Sequence, residues 1–367
     1  MRSRAARPGS SPTIHDIARL AGVSASTVSR VLNDNPRVGL ANRGAVQAAI
    51  EHAHYRPSSL AQWLACGKSR TFGVLTQDIT SEFYGQILSG IVLGLRGSGY
   101  APLFAAGGPG DDPGEALELL LRNRMDALIV VGRFNEDRMR QVAAEVPLLA
   151  IGPTIPGLED RCVIVDNVGG ACEATRHLLG LGHRRIAHIA GPPYHRHSAD
   201  RVEGYRRALT EAGCTLDPQL VVEGDFGGGS GERAVEALLG RGVAFTAIFV
   251  ANDLMAYGAM HALFRHGLRI PRDVSIVGFD DRPYSAYITP ALTTMRQPAT
   301  DLGTGAVESL LRQLKGEPAS PPAFSTPLVL RESTARVQPR DGRGPSARPG
   351  RARVGRARGM SVPGRAG

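Results

Sequence analysis

Within two helical turns the chain sets four hydroxyls, a methyl and a guanidinium side by side: Ser24, Ala25, Ser26, Thr27, Ser29 and Arg30. A helix carrying such a face suits the major groove of DNA, where arginine can pair bidentately with guanine and hydroxyls reach phosphates or base edges. A second set of polar groups stands far down the chain. Arg201, Asn252 and Asp280 could converge through folding, and guanidinium, amide and carboxylate together make the paired hydrogen bonds that adjacent sugar hydroxyls require. Phe83, Tyr84 and Phe226 are the aromatics able to pack on the apolar face of a ring.

The first set needs a rigid mount, and residues 13–32, TIHDIARLAGVSASTVSRVL, supply one. Thr13 with Asp16 forms a capping-box pair, Ile14, Ile17, Ala18 and Ala21 follow at helical spacing, and Gly22 offers the left-handed stop. Ser24 caps a second helix whose Val28, Val31 and Leu32 face the first. Ala45, Val46, Ala49 and Ile50 extend a third helix that closes a miniature core, and Tyr55-Arg56-Pro57 ends it. An ordinary helical hairpin without DNA contacts is the alternative for the bare pattern. Residues 58–65, SSLAQWLA, form a further short helix-competent segment.

The second set needs open sheets. Apolar runs at 72–76, 101–105, 127–131, 148–151 and 162–165 read as buried strands, with helices near 83–97, 113–123 and 136–144. A second series has strands at 186–190, 220–223, 247–250 and 275–279, with helices near 168–181, 200–212, 230–240 and 253–266. Alternation of this kind predicts parallel sheets covered on both faces, in two Rossmann-like lobes whose strand ends point at a shared cleft. Asn252, Asp253, Asp280 and Asp281 stand just beyond strand ends. Asp253 is expected as a helix N-cap, leaving Asn252 to face the cleft, and Asp281 as a cap or loop carboxylate. Arg201 is expected to begin a helix after a long loop at 191–200.

Composition narrows the class. A length of 367 residues fits two or three folded units, and 42% hydrophobic content suffices for buried cores. The net charge of +9 resides in the termini: residues 336–367 hold nine Arg and one Asp, residues 1–12 hold three Arg, and the stretch between is slightly acidic. These basic tails, at 1–12 and 336–367, read as disordered; they either add salt-sensitive affinity for phosphates or have no selected role. No apolar run suits a membrane span or a signal peptide, which predicts a cytoplasmic protein without membrane partners. Cys66, Cys162, Cys172 and Cys214 lack metal-ligand spacing, and His183, His188, His195 and His197 lack matching partners, so no metal and no cofactor is expected. Gly67-Lys68-Ser69 and the glycines at 227–231 miss the full phosphate-loop patterns. No nucleophile–base motif points to an enzyme.

With AGVSxxTVSRVLN at 21–33, RVEGY at 201–205, VANDLMAYGAM at 250–260 and VGFDD at 277–281, the chain resembles the LacI/GalR family of transcriptional regulators from about residue 13 to 334. The resemblance implies an N-terminal all-α helix-turn-helix head (13–57), a hinge helix and linker (58–70) and an α/β core of two Rossmann-like lobes of the periplasmic-binding-protein type I kind (71–335). Lobe 1 would take about 71–168 and 298–324, and lobe 2 about 169–297 and 325–335. The chain would cross between them near 167–170, 296–298 and 324–327.

By the same resemblance Ala25, Ser26 and Arg30 read bases, while Thr13, Ser24, Thr27 and Ser29 complete the DNA contacts. Leu64, beside Ala61, wedges into a minor-groove step. The effector site would comprise Phe83, Tyr84, His197, Arg201, Phe226, Asn252, Asp280 and Gln297. His195 and His197 differ from the purine-repressor pattern, pointing away from purines. Trp63, Gly39 and His54 depart from the family pattern; glycine is usual at 54, so a strained turn is expected there. The implied partners are double-stranded operator DNA, a sugar-type effector and a second copy in a homodimer, since 335–367 holds no leucine for a tetramerising helix. The implied action is repression relieved by the effector, with a co-repressor as the converse. A soluble sugar-binding receptor shares the two-lobed fold and is the alternative.

Overall fold

Thr13 starts the fold in the way its side chain dictates. In the computed structural model, which describes residues 12–32, 35–55, 68–107 and 113–338, α1 spans Ile14–Ala21. Asp16 N donates to Thr13 Oγ1 at 3.4 Å while Thr13 N donates to the Asp16 carboxylate at 3.0 Å, a reciprocal cap of a kind that contributes about 1 kcal/mol. Gly22, at φ +65°, ends the helix in the left-handed conformation. Ser24 Oγ accepts from Thr27 N at 3.2 Å at the start of α2, Ala25–Leu32. Gly39 precedes α3, Leu40–His52, with extended backbone and no side-chain bond.

Ile17, Val28, Val31, Val46 and Ala49 close the small core; Leu32 is only half-buried. Tyr55 also completes it, a role beyond the helix stop expected of that residue. His54 has φ +46°. A side chain with a Cβ is disfavoured there by roughly 1–2 kcal/mol, the strain expected where glycine is usual. The hinge segment 58–65, with Ala61, Trp63 and Leu64, and most of both basic tails lie outside the described residues, as does Cys66.

The α/β region is built by itself from two six-stranded sheets. The first contains β1 (Thr71–Thr76), β2 (Ala101–Ala106), β3 (Ala127–Val131), β4 (Leu148–Ile151), β5 (Cys162–Val165) and β11 (Ala323–Phe324), in the order β11-β5-β4-β3-β1-β2. The second contains β6 (Ile186–Ala190), β7 (Val221–Glu223), β8 (Ala247–Val250), β9 (Ser275–Asp280), β10 (Thr293–Arg296) and β12 (Leu328–Val329), in the order β12-β10-β9-β8-β6-β7. β12 pairs antiparallel with β10. β3, β4, β6, β8 and β9 are buried at every position, as strands covered on both faces must be. The chain leaves the first sheet after β5, returns between β10 and the helix Ala299–Leu314, and leaves again between β11 and β12.

Helices cover these sheets: α4 (Glu82–Leu95), α5 (Gly114–Arg122) and α6 (Glu136–Glu145) in the first lobe; α7 (Asn167–Gly180), α8 (Arg196–Glu211), α9 (Gly228–Gly240) and α10 (Asp253–Arg265) in the second; and α11 (Ala299–Leu314), which returns to the first. Where helices meet, glycine lets backbones touch. A Cβ on Gly90 of α4 would lie 2.0 Å from the Thr300 carbonyl oxygen, and one on Gly303 of α11 would lie 2.2 Å from that of Ile87. Gly231 would meet the Met255 carbonyl oxygen at 1.9 Å, and Gly258 that of Gly228 at 1.9 Å. The glycine run at 227–231 thus serves the α9–α10 contact.

Several elements differ from the sequence pattern. β10, β11, β12 and α11 were not singled out: two-residue strands carry no periodicity, and β10 is flanked by prolines. α8 begins at Arg196, not near 200, because a turn from His195 N to the Pro192 carbonyl starts it directly after Pro192-Pro193. His195 caps it without a side-chain bond, so no cap signal marked the start. His197 therefore sits in the first turn of a helix and Arg201 in its second.

Candidate functional site: a recognition helix and an inter-lobe cavity

On the head, α2 buries Val28 and Val31 and turns Ser26 and Arg30 to solvent, with Ala25, Thr27 and Ser29 half-exposed. Ser24 Oγ lies 2.8 Å from Ser26 Oγ and 2.9 Å from Thr27 Oγ1, so these hydroxyls form one cluster at the positive end of the helix. Arg30 projects from the last turn. Thr13 is exposed but committed to its capping box. The arrangement presents donors and acceptors on one exposed face, with the apolar face locked behind it.

In the α/β region a cavity of about 580 Å³ lies between the lobes, lined from both. The strand ends position its floor. Arg201, in the second turn of α8, is buried, and its Nε donates to Asn167 Oδ1 at 2.9 Å while Nη1 bonds the Ala251 carbonyl. The guanidinium stacks 3.9 Å from the centre of the Phe279 ring, and Nη1 lies 3.9 Å from Asp280 Oδ1. Asp280, the last residue of β9, has φ +131° and accepts from Gln297 Nε2 at 2.6 Å. Burial pulls the Arg201 pKa down to about 10 and pushes the Asp280 carboxyl well above the usual carboxylate range; the charge of each offsets the other's shift. The two charges meet at the cavity floor, each held in place by a neutral amide, Asn167 for Arg201 and Gln297 for Asp280.

The remaining residues form walls. Phe226 has φ +67°, and its ring lies over Gly191, where an added Cβ would meet it at 2.3 Å. The His195 ring meets it edge-on at 5.3 Å. Burial, reinforced by the charge of Arg201, holds His195 down to about 4 and His197 to about 3, so both rings are neutral at pH 7. Tyr84 is pushed up to about 12 by burial and then by the carboxylates of Asp78 and Asp280. Phe83 packs at 5.9 Å from Tyr84. All eight effector residues expected from the sequence, Phe83, Tyr84, His197, Arg201, Phe226, Asn252, Asp280 and Gln297, line this one cavity.

One expected role is corrected. Asn252, not Asp253, caps α10, accepting from Met255 N at 3.0 Å and donating to the Phe226 carbonyl at 2.9 Å. Its amide therefore holds the Phe226 loop as well as lining the cavity. Asp253 is fully buried instead, because Ser285 Oγ, Thr294 Oγ1 and Arg282 N all donate to its carboxylate. Asp281 is the loop carboxylate that was one of its two expected roles: its oxygens hold Arg296 at 2.7 Å and Arg331 at 2.6 Å. Asn167, Phe279 and Arg282 also belong to the site, although none is among the residues expected there. Asn167 and Arg282 follow strand ends, the same signal that marked Asn252 and Asp280. Asn167 Nδ2 also donates to the Val165 carbonyl at 3.2 Å, tying Arg201 to the first crossing.

Among the described residues no three His, Cys, Asp or Glu are grouped to hold a metal, and no helix is long and apolar enough to cross a membrane. His183 bonds Thr246 Oγ1 at 2.9 Å and the Ala335 carbonyl at 3.0 Å, and His188 stacks between Tyr205 and Phe249.

Comparison with known proteins places both halves. Residues 13–58 match the model of bacterial regulatory proteins of the lacI family, and residues 175–334 match a periplasmic binding protein-like domain. The chain is 38% identical over 329 residues to the HTH-type transcriptional regulator GalR of Salmonella typhimurium, covering 88% of this chain and 96% of that one. It is 34% identical over 333 residues to the regulator CelR of Thermobifida fusca, covering 88% and 98%. Among solved structures, the lac repressor dimer bound to operator and the anti-inducer ONPF superposes with a TM-score of 0.81 at 31% identity, covering 89% of this chain and all of that one. A CelR–cellobiose complex gives 0.67 at 33% identity, covering 88% and 99%. With the helix-turn-helix head, the two-lobed α/β core and relatives matched over nearly their whole length, the chain belongs to the lacI family of bacterial regulatory proteins, DNA-binding regulators of transcription.

Proposed function

We propose that the protein is a repressor that grips a near-palindromic operator as a homodimer and releases it when a sugar or sugar derivative fills the inter-lobe cavity. The observation that carries this reading is the cavity's polar floor: Arg201, Asp280 and Gln297 meet under the rim aromatics Phe226 and Tyr84. Carboxylate, guanidinium and amide side by side match vicinal hydroxyls, and the aromatics match a ring face. The relatives support it, since one solved neighbour holds cellobiose and another, a dimer, holds operator DNA.

In this reading Ser26 and Arg30 read base edges, with Ala25 against a thymine methyl, and Thr27 and Ser29 approach phosphates. Thr13 and Ser24 orient the two helix ends toward the backbone. Two heads related by a dyad would meet major grooves about one turn apart. The working place is the cytoplasm, where the operator is. The effector acts only through unequal affinity for the DNA-competent and released states. A soluble sugar receptor leaves the recognition helix without a role.

The test is fluorescence anisotropy of the full chain with duplexes from upstream of its own reading frame, with and without a panel of neutral sugars. Saturable binding to a palindromic duplex, weakened by at least one sugar, is expected. Indifference to every palindrome at modest ionic strength overturns the reading, and strengthening by the sugar turns repressor-with-inducer into repressor-with-co-repressor.

A further inference from the structure

Resting on the sugar-effector reading above, we propose that Arg282 is a further ligand-reading residue of the cavity, charge-balanced across the cleft by Glu82, and that the pair makes the site select neutral hydroxyls over acidic groups. Arg282 is 7% exposed and lines the cavity two residues beyond the end of β9. Its placement is fixed from behind: Arg282 N donates to Asp253 Oδ2 at 2.9 Å, and Ser285 Oγ and Thr294 Oγ1 hold that carboxylate at 2.6 and 2.5 Å. Glu82 belongs to the opposite lobe, in the first turn of α4, and lines the same cavity.

Arg282 Nε lies 3.0 Å from Glu82 Oε2, close enough to balance the charge. Yet its N–H is not directed at that oxygen: Nε is buried without a hydrogen-bond acceptor. An unsatisfied donor of a charged group is costly to keep, and an in-plane oxygen from a ligand removes the cost. Because Glu82 already neutralises the guanidinium, that oxygen is best a hydroxyl or ring ether. A carboxylate or phosphate would compete with Glu82 and bring an uncompensated charge beside Asp78 and Asp280, which line the same cavity. Since one partner sits on each lobe, a ligand that completes Arg282 is read only with the lobes together. Two other contacts join the lobes around the cavity: the Arg133 guanidinium over the Tyr194 ring at 5.5 Å, and His197 with the Gly152 backbone.

The experiment is calorimetric titration of the full chain with D-glucose, D-galactose and cellobiose, and with D-glucuronate, D-galacturonate and cellobionate. Melting temperatures are recorded to confirm folding. The unaltered chain is expected to bind a neutral sugar in preference to its acid. Arg282→Lys keeps the charge but lacks the Nε donor, and should lose at least about tenfold in affinity for that sugar. Glu82→Gln frees the charge and should shift the acid-to-neutral affinity ratio at least about tenfold toward the acid. A purely structural pair would leave that ratio unmoved. Neutral-sugar affinity retained in Arg282→Lys, or an unchanged ratio in folded Glu82→Gln, overturns this proposal while leaving the sugar reading intact. Failure of the unaltered chain to bind any of the six overturns both.

Discussion

The recognition helix and the inter-lobe cavity are built on opposite plans. Apart from Thr13, the head residues proposed to contact DNA run from Ser24 to Arg30 and are mounted outward on one face with their apolar neighbours buried behind them. The cavity's residues come from as far apart as Phe83 and Gln297, and most are partners of one another: Arg201 with Asn167 and Asp280, Asp280 with Gln297, Asn252 with Phe226. On the proposed reading, a substitution on the helix removes one contact with an outside molecule. A substitution in the cavity also leaves a buried partner stranded. Binding and stability should therefore separate in the first region and travel together in the second.

The largest expected departure comes from Arg201→Ala. It strands Asp280 and the Asn167 amide, and should lower stability by about 3–5 kcal/mol as well as abolish sugar binding. Chemical denaturation beside sugar titration checks both, and an unchanged denaturation midpoint would break the comparison. Arg30→Ala stands next. It should cost about 1–3 kcal/mol of discrimination between operator and mismatched duplex. Its thermal midpoint should stay put, because the side chain is exposed; competition anisotropy and a melting curve read the two quantities.

The smallest effect is acid sensitivity. His188 is fully buried with no acceptor or donor at Nε2, and burial holds it down to about 4. The unfolded chain takes up that proton near 6.5, so the stability contributed is complete above that pH and is lost as pH falls toward 4. The slope is at most about 1.4 kcal/mol per pH unit. His177, His183, His195 and His197, also held down by burial, act in the same sense, while Asp280 and Asp253, whose carboxyls burial raises, oppose them. His188→Phe should make the dependence of melting temperature on pH between 6.5 and 5 shallower, the remainder belonging to the other buried histidines; the same slope in the variant would remove His188 as a source.

The difference in plan also decides what could be read from residues alone. A capping box, a left-handed glycine and an apolar spacing are local, so α1 and α2 were legible to within a residue. Polar residues after strand ends were legible as cavity candidates, since that rule is a property of open parallel sheets. Their hydrogen-bond partners were not: whether Asn252 or Asp253 caps α10 depends on Ser285, Thr294 and the Phe226 carbonyl, all remote in sequence. The start of α8 was obscured for a local reason, a helix beginning at His195 without a capping side chain. Arg282 went unseen because an arginine after a strand end looks like ordinary surface until Glu82 arrives from the other lobe.

The glycine contacts between helices carry one more consequence. With α4 against α11 and α9 against α10 at backbone distance, neither lobe has slack to bend internally. Rearrangement on ligand entry is then expected to concentrate in the three strips of chain that join the lobes, near Asp166, Gln297 and Thr326. On the proposed reading, a single-residue insertion beside Thr326, the strip that does not line the cavity, should uncouple sugar occupancy from operator release, whereas insertions beside Asn167 or Gln297 would also disturb Arg201 and Asp280.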